Sequence, residues 1–318
     1  MENISSISTF VLGGFSEIDG FQHIYFVCCL VCYLFIILAN TVLCSVIIME
    51  DKLHEPMYIF ICNLSVNGLY GSTAFFPKHL IDTLSETKAI SYAGCFLQIF
   101  LTYTFGYNEI TFLALMAYDR QVSICNPLRY HSIMTNVKMW KIILCAWLYS
   151  SCFVMILLLP TLRLPLCGFI IKSICCENNS LLRLSCVNTD FDRIAEVCIT
   201  VCNITLLSLI IMYSYVNIFK VCQKSSYGTK MKALHTCITH WLSLIIYLFC
   251  GFFQFLTRVG IIAYLPFLQT FTSIAFFVFP PLLNPLIYGI RTQEIRNRAK
   301  KKLYGFIETF NSTTVKTI

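Results

Sequence analysis

Apolar runs long enough to cross a bilayer recur along this chain, separated by short polar segments. Seven runs cover about residues 24–48, 57–82, 95–124, 138–160, 195–222, 233–258 and 264–290. A helix needs about 20 mostly apolar residues to span the hydrocarbon core, so each run predicts one transmembrane helix. The predicted fold is an all-α membrane protein, a seven-transmembrane helix bundle over 24–290. A tail over 1–23 precedes it. After it, Ile295, Ala299, Leu303, Phe306 and Ile307 alternate with Arg296, Arg298 and Lys300 to Lys302. That pattern predicts a short amphipathic C-terminal helix within 291–318, lying on the inner leaflet and touching membrane lipid. A disordered basic tail is the alternative. No internal repeat is visible, and no linker is long enough to join a second domain.

Composition agrees with the pattern. Of 318 residues, 57% are hydrophobic and 12% are charged. A soluble domain carries about 25% charged residues, so this chain could not cover a water-facing surface. The first 20 residues hold Glu2, Glu17 and Asp19 and no Lys or Arg. The basic start of a secretory signal is missing, and the first run is expected to stay as a span. With the N-terminus outside, the inner segments hold 16 of the 23 basic residues, and the outer segments hold 7 against 9 acidic ones. Positive charge collects on the cytoplasmic side of membrane proteins, so the chain is expected N-terminus extracellular and C-terminus cytoplasmic. The net charge of +7 is then a topology charge, and nucleic acid is not an expected partner.

Most of the 18 cysteines fall inside the apolar runs and read as small buried hydrophobes. Cys29 and Cys32 have redox-motif spacing but sit in a lipid-embedded run with no activating charge. Four others lie on the outer side, where disulfides persist: Cys95 at the start of the third run, and Cys167, Cys176 and Cys186 in the long loop after the fourth. Paired CxxC units and nearby His are missing, so no metal site is expected. Asn3 heads a glycosylation sequon in the outer tail, and Asn178 heads another in the outer loop.

Charges inside the runs carry the candidate chemistry. Glu109 is a carboxylate deep in the third run, eleven residues before Arg120, or about three helical turns. Carboxylates buried in spans are rare and are functional candidates by default. Glu109 reads either as an interior polar or cation-binding group, or as a neutral acid hydrogen-bonded to Asn40, Asn67 or Asn284. The run closes on Met116-Ala117-Tyr118-Asp119-Arg120 and then Ile124-Cys125-Asn126-Pro127-Leu128-Arg129-Tyr130-His131. The last run closes on Asn284-Pro285-Leu286-Ile287-Tyr288.

These two stretches resemble the signatures of vertebrate olfactory (odorant) receptors, which are rhodopsin-like G-protein-coupled receptors. Three further stretches fit the same family: Leu53 to Tyr58 before the second span, Met212 to Tyr215 at the inner end of the fifth, and Lys232 to His240 leading into the sixth. The resemblance covers Pro56 to about Arg296. It departs at Gln121 and Ser123, where the family has Tyr and Ala. It departs again at Gly68, where the family has an intramembrane Asp that helps hold sodium, and at Tyr247-Leu248, where it has Phe-Tyr.

The resemblance implies several roles. Cys95–Cys176 would tie the third span to the outer loop, with Cys175 an alternative by one residue, and Cys167–Cys186 would close the loop on itself. Asn40 and Glu109 would belong to an interior polar network. Asp119, Arg120, Tyr215, Asn284, Pro285 and Tyr288 would form the activation switch that faces a G protein, Tyr215 being a candidate to pair with Arg120. Pro285 frees a backbone carbonyl in the last span, and Asn284 could either re-satisfy it or bond another span.

A small molecule would bind between the third, fifth, sixth and seventh spans. Its pocket is expected from Thr102, Tyr103, Gly106, Tyr107, Ile199, Asn203, Phe252 and Phe255. Biogenic-amine receptors carry Asp where this chain has Thr102, so the pocket is expected to be aromatic and mostly neutral. Arg258, further out, either meets an acidic ligand or snorkels to the interface.

The sequence therefore predicts an odorant receptor of the plasma membrane. Its partners would be a small-molecule odorant and a heterotrimeric G protein, one that raises cyclic AMP. A rhodopsin-like receptor for a non-odorant metabolite or pheromone is the alternative. A transporter or channel is a distant one, since it would show repeated halves and several midplane charges. No nucleophile–base pair stands out, so no catalytic residue, enzyme activity or cofactor is expected.

Overall fold

The computed structural model describes residues 8–15, 20–224, 227–258, 266–292 and 294–298, less the side chains at 229, 230, 232, 233, 235, 236, 258 and 266. Seven long helices run through it: α1 (Gln22–Met49), α2 (Pro56–Leu84), α3 (Tyr92–Cys125), α4 (Asn136–Leu162), α5 (Asp190–Gln223), α6 (Tyr227–Arg258) and α7 (Pro266–Arg291). They cover all seven predicted spans, and the protein is a multi-pass membrane protein. Six of them are long and apolar enough to cross a membrane. The exception, α3, is set apart by its position. It packs against α2, α4, α5 and α6. Inside that ring it can carry Gln98, Thr102, Asn108, Glu109 and Thr111, all buried, without meeting lipid.

Local sequence sets the helix ends. Pro56 starts α2 at a position whose N–H would have no partner anyway. Ser91 caps α3 by accepting the Gly94 N–H at 3.1 Å, and Thr135 caps α4 by accepting from Lys138 at 3.3 Å. Large exposed apolar side chains stud the outer faces, such as Leu34 and Leu38 on α1 and Leu206 and Leu209 on α5. On a soluble protein such a surface would aggregate; here it is the face for lipid.

A small sheet closes the outer end. β1 (Thr9–Leu12) lies between β2 (Ala89–Ser91), which it pairs antiparallel, and β3 (Ile170–Ile171), which it pairs parallel. Its alternate residues Phe10 and Leu12 point into the core and are buried, so the segment is held by packing as well as by the ladder. Disulfides then fix the loop: Cys95–Cys176 pins it to α3, and Cys167–Cys186 closes it on itself. Cys175, the alternative partner, is a buried free thiol. Asn3 lies outside the described residues, as does most of the expected amphipathic helix, beyond residue 298. Its first turn is present, with Ile295 buried and Arg298 bridging Glu294 at 3.2 Å and Glu50, after α1, at 3.3 Å.

Helices in lipid associate through close packing, because lipid tails are as apolar as the side chains they would replace. Gly71 is the tightest such contact between α2 and α3. A Cβ there would lie 2.3 Å from the Phe105 ring. That ring cannot retreat easily: it is fully buried and packs on Phe276 and Phe277, at centroid distances of 5.6 and 5.8 Å. Gly71→Ala is therefore expected to cost about 1–3 kcal/mol. In the purified protein followed by tryptophan fluorescence, it should lower Tm clearly. Gly289→Ala, where an added Cβ meets nothing within 4 Å, should not lower it.

Candidate functional site

The outer half of the bundle holds a cavity of about 320 Å³, a size suited to a small ligand. Its α3 wall is Thr102, Tyr103, Gly106 and Tyr107. Its α5 wall is Arg193, Ile194, Glu196, Val197, Thr200 and Ile204, and its α6 wall is Tyr247, Gly251, Gln254 and Phe255. Phe276 of α7 and the loop residues Asn179 and Arg183 complete it.

Five of the eight sequence-predicted pocket residues line this space, and three do not. Phe252 is one residue past Gly251, a rotation of about 100° on a helix, and it is 56% exposed on the outer face of α6. Ile199 is likewise turned outward on α5, at 43% exposure. Asn203 is buried, but at the α4 edge of α5, where its amide donates to the Tyr149 hydroxyl. The lining positions 247, 251, 254 and 255 share one helical face, as do 193, 196, 197, 200 and 204. That phase was the signal that could have found Tyr247, Gln254, Glu196 and Thr200. Glu196 carried a second signal, a carboxylate within a predicted span, like Glu109.

The cavity wall is polar at defined points. Glu196 is buried, and both its oxygens accept from neutral donors: Oε1 from the Tyr103 hydroxyl at 3.2 Å, Oε2 from the Asn178 amide at 2.9 Å. This bond and full burial close Asn178 to glycosylation in the folded state. Gln254 donates through Nε2 to Glu177 of the loop at 3.0 Å. Gln98 accepts the Cys176 N–H at 2.9 Å, so the disulfide and a hydrogen bond hold the same point of the loop over α3. The Tyr107 and Thr200 hydroxyls are 2.9 Å apart, and the Tyr247 hydroxyl donates to the Gly106 carbonyl at 3.0 Å.

Below the cavity, Glu109 is held from two sides. Asn67 of α2 donates to its Oε2 at 2.9 Å and Asn284 of α7 to its Oε1 at 2.5 Å. Asn40 does not join them. Its amide donates to the Ile36 carbonyl and to the Pro281 carbonyl, both at 2.8 Å. Pro281 stands four residues before Pro285, whose missing N–H would otherwise leave that carbonyl without a partner. Of the two roles expected for Asn284, the structure shows the second: it bonds another span through Glu109 of α3, and Asn40 of α1 re-satisfies the freed carbonyl. Gly68 lies against Asn40 and Pro281, 3.3 Å from each at the Cβ position. The described residues hold no cluster of three or more His, Cys, Asp or Glu able to bind a metal.

At the inner end, Asp119 is buried and accepts from the Tyr130 hydroxyl at 2.8 Å. Burial and the adjacent Asp119 carboxylate push the Tyr130 hydroxyl well above its ordinary pKa, so it stays a donor. Tyr215 is hydrogen-bonded to His240 Nδ1 at 2.5 Å rather than to Arg120. His240 Nε2 lies 2.8 Å from the Leu113 carbonyl. A carbonyl only accepts, so Nε2 carries the proton and Nδ1 accepts from Tyr215. The sequence reading missed this role of His240. Tyr288 is buried beside this layer, with Ser243 next to its hydroxyl.

Asn40→Ala leaves the Pro281 carbonyl unpartnered in the membrane interior, which should cost about 1–3 kcal/mol. A Tm equal to that of the parent protein would mean that α7 finds another donor there.

The family model of the olfactory receptor matches residues 28–305. Human olfactory receptor 6K3 is 36% identical over 308 residues, which cover 94% of this chain and 90% of that protein. Human olfactory receptor 13D1 is 33% identical over 303 residues, 95% of this chain and 87% of that protein. Human olfactory receptor 2K2 is 32% identical, covering 96% of both. Alongside the seven-helix bundle, its interior polar network and a cavity of ligand size, these matches show that the chain belongs to the olfactory receptor family and is a receptor that couples odorants to G proteins.

Proposed function

We propose that the odorant binds in the cavity between α3, α5, α6 and α7, and that binding shifts the inner end of α6 outward to expose Arg120 to a stimulatory G protein that raises cyclic AMP. The observation that carries this reading is the chain of contacts from cavity to inner face. Gly106 lines the cavity and accepts from Tyr247 of α6. One turn further along α3, Glu109 holds Asn284 of α7. Further still, Leu113 holds His240 of α6, which holds Tyr215 of α5. Each bond spans two helices, so a rigid-body shift of α6 breaks the Tyr247–Gly106 and His240–Leu113 bonds together. Tyr215, freed from His240, then becomes available to Arg120. The ligand acts by population shift: it must bind the open arrangement better than the closed one.

In this reading Asp119 and Tyr130 hold the inner end of α3 in place. Asn284, Pro285 and Tyr288 form the part of α7 that moves, and Glu109 with Asn67 and Asn284 is its interior polar hinge. The N-terminal tail faces outside, with Asn3 glycosylated, and the C-terminus faces the cytoplasm. The distribution of Lys and Arg supports that orientation. The helix begun by 294–298 lies on the inner leaflet, in contact with lipid.

Cyclic AMP in cells expressing the receptor, challenged with pools of amines, aldehydes, acids and steroids, tests the reading. A pool that raises cyclic AMP in the parent and not in Arg120→Ala, at matched surface expression, is the expected result. A response that Arg120→Ala leaves intact would sink the assignment of Arg120. Tyr215→Phe removes the hydroxyl that would pass from His240 to Arg120. It should lower the maximal response severalfold with little change in half-maximal concentration. A change in half-maximal concentration alone would place Tyr215 outside the switch.

A further inference from the structure

The cavity's polar groups are unbalanced. Glu196 lines it, is 8% exposed, and makes no ion pair among the described residues. Its hydrogen-bond partners, Tyr103 and Asn178, are neutral donors. A buried carboxylate without a cation is costly. Gln254 lines the same space and is 5% exposed. Its Nε2 is fixed toward Glu177, since a carboxylate accepts and an amide oxygen cannot donate to it. That leaves its Oε1 buried with no partner among the described residues. Two acceptors, one of them charged, thus face a space otherwise walled by Tyr107, Val197, Ile204, Phe255 and Phe276.

The two cations of the lining do not correct the imbalance. Among the described residues neither pairs with Glu196: Arg193 is ion-paired with Asp190 through one terminal nitrogen while its Nε is buried without a hydrogen-bond partner, and Arg183 is exposed to water. On the opposite wall stands Thr102, whose hydroxyl donates to the Gln98 carbonyl at 2.8 Å.

We propose that this cavity takes an amine. The ligand's ammonium binds Glu196 and the Gln254 carbonyl oxygen, and its aliphatic or aromatic body lies against the apolar wall. The proposal rests on the reading of the cavity as the odorant site. An ammonium brings three N–H donors and one positive charge, which suit the Glu196 carboxylate and the Gln254 Oε1. A carboxylic acid would sit against Glu196 and meet repulsion. An alcohol supplies one donor and no charge, so it would bind more weakly.

The test separates binding from signalling. Purified full-length receptor in nanodiscs is melted with phenethylamine, phenethyl alcohol and hydrocinnamate, and with hexylamine, hexanol and hexanoate. The same compounds are applied to cells read for cyclic AMP. At least one amine should raise Tm at concentrations where its alcohol and acid do not. Glu196→Gln should weaken that amine by about tenfold or more, the worth of a charge-assisted bond. Glu196→Asp, which keeps the charge on a shorter arm, should retain part of the binding and serves if the Gln variant does not fold. The proposal is overturned if no amine raises Tm, if an alcohol or acid matches the amine, or if Glu196→Gln binds the amine as the parent does. A cyclic AMP response to an alcohol or acid that survives Glu196→Gln would overturn it while leaving the receptor reading standing. Amine-dependent stabilisation without cyclic AMP in any cell would do the reverse.

Discussion

In a hydrocarbon medium every polar group needs a partner inside the protein, and that constraint shapes this bundle more than any other. The last helix shows it most directly. Three prolines interrupt α7, at 280, 281 and 285. Pro285 removes the bond that would have closed on the Pro281 carbonyl, and Asn40 of α1 supplies the replacement. Glu109 is the same problem with a carboxylate: α2 and α7 each present an asparagine to it. α1, α2 and α7 are therefore joined to one another and to α3 by bonds whose loss would leave a bare polar atom in the interior. That cost is about 1–3 kcal/mol per neutral group, and more for a charged one.

The partners are also exchangeable, which makes the arrangement suited to switching. Asparagine amides and hydroxyls rotate within a small radius, and buried acceptors remain free nearby, among them the Asn67 and Asn284 side-chain oxygens. Tyr288 has a buried hydroxyl beside Ser243, and Tyr215 holds its own against His240. A second packing of α6 and α7 could satisfy a different subset at similar energy. Two arrangements separated by a few kcal/mol are what a ligand of ordinary affinity can reorder, since moving a population from 1:99 to 99:1 needs about 5.5 kcal/mol of differential binding.

Seven spans and their order were legible because each rests on a strong local signal: long apolar runs, an Asp-Arg and an Asn-Pro motif. Cysteines outside the spans marked where disulfides could form, but their pairing came only from the family resemblance, with Cys175 and Cys176 both open. The α3 wall of the cavity was legible for a related reason. Counting turns back from Arg120 places Thr102, and neighbours follow by helical geometry. The α5 and α6 walls were not, since residues such as Ile199 and Phe252 are apolar on a helix that is apolar all round. Composition there gives no phase, and which face turns inward is set by packing against neighbours. Phase would have come from the polar exceptions, Glu196, Thr200 and Gln254. The partner of Pro281 was out of reach for another reason. It lies 241 residues away in sequence, and only the assembled bundle brings Asn40 to it.

The Tyr247–Gly106 bond sets a condition on how the cavity can signal. Both residues line it, and their bond ties α6 to α3 on the side nearest the inner network. A ligand that merely filled the space would bind the closed arrangement as well as the open one and would shift nothing. A ligand that took the Gly106 carbonyl's donor away, or that drew α6 toward α5, would bind the two arrangements unequally. Gln254 and Tyr247 lie two turns apart on one face of α6, so a group held at Glu196 and Gln254 pulls on the outer end of the same helix whose inner end carries His240. Rotation or tilt of α6 about its middle then exchanges an outer contact for an inner one. The coupling needs no relay through side chains: a stiff helix with a bond at each end is enough.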